Sequence, residues 1–148
     1  MSPFAHNPAL AAYAVACLVL VGILFALAMR TGSVRARVRA VVNPEDPRVY
    51  KGASVVEVEH PETLRVKRAH LNLLENAVPF FVVGYLFALT QPGVAVASIL
   101  YGAFVIARLL HAYVYLTARQ PARSALWMAG VLIVVIMAVA VVRSLAMS

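Results

Sequence analysis

A chain of 148 residues that is 63% hydrophobic and only 13% charged, with a mean hydropathy of +0.86, is excluded from the ordinary soluble domains and falls among integral membrane proteins. The net charge of +7 and the pI near 10.2 do not indicate nucleic acid, because the basic residues flank apolar spans without interleaved aromatics, and membrane topology accounts for them. The single cysteine, Cys17, lies inside an apolar run, which excludes a disulfide framework and a multi-cysteine metal site.

Taken in order, residues 9–29 carry no charge and reach about 30 Å as a helix, enough to cross the hydrocarbon core. Ala26-Leu27-Ala28 resembles a signal-peptide cleavage site, but the flank before the run lacks Lys and Arg and the run is too long. A cytoplasmic loop is expected over about 30–64, opened by Arg30, Arg35, Arg37 and Arg39. Its Asn43-Pro44-Glu45-Asp46-Pro47 reads as a turn between two helices. His60-Pro61-Glu62 suits a helix start. The helix it opens runs to about Thr90 and spans the membrane over 65–90, with Pro79 removing the bond to the carbonyl of Glu75 and introducing a kink. Gln91-Pro92-Gly93 is a tight turn, and further spans cover 94–116 and 124–142. These four elements predict an all-α integral membrane fold, an up-down four-helix bundle forming one domain over residues 1–148. Nine cations between Arg30 and Arg68, with Arg119 and Arg123, mark one face as cytoplasmic and place both termini outside. Eleven Arg against two Lys, with abundant Ala and Val, hint at a GC-rich bacterial gene and so at a bacterial inner membrane.

Charged and amide side chains enter the second span. At about 100° per residue, Arg65, Arg68, Asn72 and Glu75 share roughly an 80° arc, while Lys67 and His70 point away from it. A charge at membrane depth costs at least about 2 kcal/mol unless it meets a partner or a water-filled cavity, so this arc is expected to face a site. On the third span Arg108, His111 and Tyr115 follow at i, i+3 and i+7, within about 60° of one another. Arg108 is deep enough to require an internal partner, and Glu75 is the expected one. The fourth span opens with Arg123-Ser124 and places Trp127 one turn on, where it suits either the site or an interfacial anchor. Arg65, Lys67 and Arg119 equally suit topology signals, and His60, His70 and His111 lack metal-ligand spacing, so no metal is expected. Several guanidiniums and one carboxylate, open to water on one side and lipid on the other, suit an anionic ligand that also carries an ammonium. Glutathione has that charge pattern.

The run from Arg68 to Phe80, with Asn43-Pro44-Glu45-Asp46 before it and Arg108-Leu109-Leu110-His111, Tyr115 and Arg123-Ser124 after it, resembles the membrane-associated proteins in eicosanoid and glutathione metabolism (MAPEG). The likeness covers nearly the whole chain and is strongest to the microsomal prostaglandin E synthase type and bacterial glutathione transferase-like members. It implies a homotrimer with glutathione bound near the cytoplasmic side between subunits. Arg35, Arg68, Asn72, Glu75, Arg108, His111, Tyr115 and Trp127 would then contact the ligand. Arg123 and Ser124 would handle its sulfur, with Asp46 a partner in proton transfer. Leu71 and Trp127 depart from the prostaglandin synthase pattern, which has arginine and tyrosine there. The implied function is a membrane glutathione transferase or peroxidase acting on hydrophobic electrophiles or lipid hydroperoxides. A glutathione-dependent isomerase and a non-catalytic lipid-binding scaffold are the alternatives.

Overall fold

The computed structural model describes residues 3–147. A short helix α1 (Pro3–His6) leads into α2 (Pro8–Val38), and α3 (Pro61–Leu89), α4 (Val94–Leu116) and α5 (Gln120–Ala146) follow. All four long helices are long and apolar enough to cross a membrane. α3 and α4 form the middle of the bundle, each packed on the other and on both α2 and α5. Large apolar side chains such as Leu18, Phe25, Ile99 and Leu145 point outward, as lipid-facing residues do.

Local chemistry sets the helix ends. Asn7 caps α2, its side-chain oxygen accepting from the Leu10 N–H at 3.1 Å, and Pro8 supplies the first helical φ. α2 continues well past Met29, and Arg35 and Arg37 in its last turn complement the helix dipole. It stops at Arg39, which takes the left-handed conformation (φ 52°) with its N–H bonded to the Arg35 carbonyl. His60 caps α3 through Nδ1, accepting from the Glu62 N–H, and α3 remains helical through Pro79. α5 starts four residues before the expected Ser124, because Pro121 is an acceptable first-turn residue.

Between α2 and α3 lies a strap rather than a bare loop. Two-residue strands β1 (Ala40–Val41) and β2 (Ser54–Val55) pair in parallel, in register Ala40 with Ser54, and Asp46–Arg48 forms one 3-10 turn between them. The left-handed Arg39 redirects the chain, and its carbonyl accepts from the Ser54 N–H at 2.9 Å.

The apolar core runs along the bundle from Val34 and Val66 at the strap end, and its aromatic part lies in the remote half. Phe80 stacks on Phe104 with ring centroids 4.2 Å apart, and Tyr13, Tyr101 and Phe87 close around them. Tyr13 and Tyr101 donate their hydroxyls to the Phe81 and Gly84 carbonyls at 2.7 and 2.8 Å, so neither buried polar tip is left unmet. Small buried residues, among them Ala69, Ala77, Ala97 and Ala112, let the helix backbones approach closely.

Candidate functional site

At the strap end of the bundle α3, α4 and α5 splay around a cavity of about 260 Å³ lined by Asn72, His111, Tyr115, Arg123, Ser124 and Trp127. A mouth of about 310 Å³ adjoins it, lined by Arg65, Arg68 and Gln120 among others, and Tyr115 and Arg123 belong to both. The Arg123 guanidinium lies over the Tyr115 ring, 4.7 Å from its centroid, and the His111 ring is 5.8 Å from the same ring. These stacks hold the arginine at the junction of the two spaces.

The site is cationic and under-satisfied. Among the described residues no carboxylate pairs with Arg65, Arg68 or Arg123. Asn72 Oδ1 is buried without a hydrogen-bond partner, an acceptor that suits an ammonium or amide N–H. Three free guanidiniums around an orphaned acceptor fit a ligand with two carboxylates and one ammonium, which is the pattern of glutathione.

Seven of the expected contacts therefore converge: Arg68 at the mouth, and Asn72, His111, Tyr115, Arg123, Ser124 and Trp127 inside. Four stand apart. Arg35 and Asp46 form an ion pair at 3.6 Å on the α2 side, and Glu75 is exposed on the outside of α3, one turn beyond Asn72. Arg108 is 1% exposed and lines neither space. The expected bond between Arg108 and Glu75 is not formed within the chain. Arg108 turns instead to α5, where Nη2 donates to the Leu126 carbonyl at 2.5 Å and the Trp127 carbonyl at 3.3 Å, with the Phe104 ring 5.6 Å from its Cζ. Backbone carbonyls and a ring face thus replace the carboxylate.

Sequence reasoning missed Glu59. Its carboxylate is 8% exposed and accepts from Arg35 Nε at 2.8 Å and Lys67 Nζ at 2.7 Å, which ties the strap to α2 and α3. The Arg35 hydrogen bond holds the Glu59 carboxyl below the usual carboxylate range, with help from Lys67 and against the opposing effect of burial. Arg37 and Glu62 add an exposed pair alongside. Gly130 was missed as well. A lone glycine in an apolar span is the available signal for a close approach, and here the approaching group is the Arg108 guanidinium.

Four membrane-length helices and an arginine-rich polar cavity at one end of their bundle define an integral membrane protein of the multi-pass class. The chain belongs to the MAPEG family, whose model matches residues 13–143. It is similar to microsomal glutathione S-transferase 1 of Rattus norvegicus, 35% identical over 133 residues covering 87% of this chain and 85% of that one. The same protein of Bos taurus is 30% identical over 148 residues, covering 97% and 96%. Prostaglandin E synthase of Homo sapiens is 34% identical over 119 residues, covering 80% and 78%.

Proposed function

We propose that the protein is a membrane glutathione transferase, with glutathione peroxidase activity as a second use of the same thiolate, acting on hydrophobic electrophiles or lipid hydroperoxides dissolved in the bilayer. The observation that carries this reading is the meeting of Asn72, His111, Tyr115, Arg123, Ser124 and Trp127 around one cavity whose mouth holds unpaired arginines.

Glutathione, as substrate, supplies the nucleophilic sulfur. Arg65 and Arg68 at the mouth attract its carboxylates, and Asn72 Oδ1 accepts from its ammonium or an amide. A free thiol of this type titrates near about 8.5, and the Arg123 guanidinium with a hydrogen bond from the Ser124 hydroxyl favours the thiolate at neutral pH. Tyr115 orients Arg123 from beneath. The lipid side of the bundle delivers the electrophile, and holding both reactants together lowers the entropic barrier to attack.

In this proposal residues 1–148 form one domain of an inner-membrane homotrimer, with the strap cytoplasmic and both termini outside. Glu75, exposed on a single chain at membrane depth, favours assembly. Facing lipid it costs at least about 2 kcal/mol, and a neighbouring subunit supplies a polar partner. Glu75 then holds the ligand's polar backbone together with Asn72, and Arg35, with Asp46 beside it, reaches the ligand from the strap side.

The deciding experiment titrates purified protein with glutathione at neutral pH, following thiolate absorbance and heat in the same sample. Binding with thiolate formation is expected. Failure to bind at millimolar glutathione sinks the proposal in favour of a lipid-binding scaffold. The similarity to prostaglandin E synthase favours an isomerase as second reading, and product analysis separates the two: an isomerase leaves neither conjugate nor oxidised glutathione. Mass measurement in detergent tests the trimer.

A further inference from the structure

α5 carries Arg123, Ser124 and Trp127 in its first turns, yet very little holds those turns in place. Arg119 at the amino end of the helix makes no side-chain cap bond, and the buried residues of the whole helix are Gly130 and Met137. No residue from Gln120 to Ala129 is buried, so apolar packing alone leaves the part of α5 that faces the cavity weakly anchored.

The anchor is a pair of charge-assisted hydrogen bonds. Arg108 reaches from the middle of α4 and donates Nη2 to the carbonyls of Leu126 and Trp127, two and three residues after Ser124. Its guanidinium lies between the Phe104 ring and the backbone at Gly130. A Cβ at position 130 would fall 2.5 Å from Nη2, 2.7 Å from Cζ and 2.9 Å from Nε, so the missing side chain of Gly130 is the notch that admits the cation.

We infer that Arg108 is a positioning residue rather than a ligand contact, clamping the first turns of α5 through the Leu126 and Trp127 carbonyls, with Gly130 as the required notch, and so setting where Arg123 and Ser124 stand in the cavity. Arg108 lines neither the cavity nor its mouth, which removes it from the ligand's reach within the chain. Its Nε and Nη1 have no hydrogen-bond partner, so every hydrogen bond this buried cation makes goes to α5. The catalytic consequence rests on the glutathione reading above. The clamp itself does not.

Trp127 is the chain's one tryptophan and one of the two clamped carbonyls is its own, so its fluorescence reports the clamp directly. The experiment compares wild type, Arg108→Gln, Gly130→Ala and the double variant in detergent, with helical content checked by circular dichroism. Gly130→Ala is the mild arm, because the group it displaces is the mobile end of a long side chain. Each single variant is expected to shift Trp127 emission and to raise its quenching by acrylamide about twofold, with the double variant no worse than Arg108→Gln, since both changes open one clamp. In turnover assays kcat falls about tenfold while the glutathione Kd from calorimetry stays within about threefold, and the acid limb of the kcat profile moves to higher pH as Arg123 and Ser124 lose their aim at the sulfur. Unchanged Trp127 fluorescence in folded Gly130→Ala overturns the clamp, whatever the activity does. Should the Arg108 variant not fold, Gly130→Ala decides alone. A changed fluorescence in a protein that binds no glutathione at all leaves the clamp standing and removes the enzyme reading instead. Loss of glutathione affinity in Arg108→Gln with no effect of Gly130→Ala makes Arg108 a direct ligand contact.

Discussion

Arginine is used in two opposite ways at the two sides of the strap end. On the α2 side Arg35 meets Glu59 and Asp46, Lys67 shares Glu59, and Arg37 meets Glu62, so each of these cations has a carboxylate. On the α3–α4–α5 side Arg65, Arg68 and Arg123 line a cavity and its mouth with no carboxylate partner among the described residues. The same residue type therefore holds the fold where its charge is answered and awaits a ligand where it is not. The satisfied cluster is expected to act first on stability, touching the ligand only through Arg35 and Asp46, and the unsatisfied one on binding and rate.

The widest separation is expected at Arg123. Arg123→Ala should lower turnover about 100-fold while glutathione affinity stays within about threefold, measured by steady-state kinetics and calorimetry. The opposite pattern would move Arg123 from sulfur activation to ligand binding. Next comes Glu75→Ala, which should weaken glutathione binding about tenfold with a smaller effect on saturated turnover. An effect confined to kcat would contradict its place beside the ligand.

Glu59 tests the other side. Glu59→Ala leaves Arg35 without its nearest acceptor in a largely covered site, and a loss of about 2 kcal/mol in thermal unfolding is expected, with glutathione affinity falling no more than about threefold through the released Arg35. Because folding depresses the Glu59 pKa, its stabilisation is present above the unfolded carboxylate value and disappears as pH falls through the folded one. Wild-type melting temperature should accordingly drop below about pH 4, and Glu59→Gln should flatten that drop. Smallest of all is Lys67→Ala, whose side chain is 48% exposed: at most about 1 kcal/mol is expected. If Glu59→Ala abolished binding and left melting unchanged, the division between the two sides would collapse.

Much of this was legible in the sequence for reasons that are local. An uncharged run of membrane length identifies a span, and the i, i+3, i+7 spacing on α4 puts His111 and Tyr115 on one face. The bounds of α4 match the expected 94–116, because Gly93 and the Thr117 turn punctuate it sharply. What was not legible depends on which distant group a side chain meets. Glu59 lies 24 residues from Arg35 in the chain, and nothing periodic links them. Arg108 and Glu75 looked like partners because charge is visible in a sequence, whereas the two carbonyls that Arg108 found on α5 are present at every residue and so mark nothing. The continuation of α2 past Arg30 was hidden for a related reason: cations signal the membrane surface, and a helix end need not coincide with it.

That continuation has a geometric consequence. From Arg30 to Val38 the helix climbs about 12 Å, carrying Arg35 to Glu59 at a definite angle and height. One residue inserted before Arg35 would leave the apolar run intact yet swing the guanidinium about 100° around the axis, and seven would restore its direction about 10 Å too high. The strap thus engages α2 as a nut engages a screw, by rotation and pitch together, and no change of length alone preserves the fit.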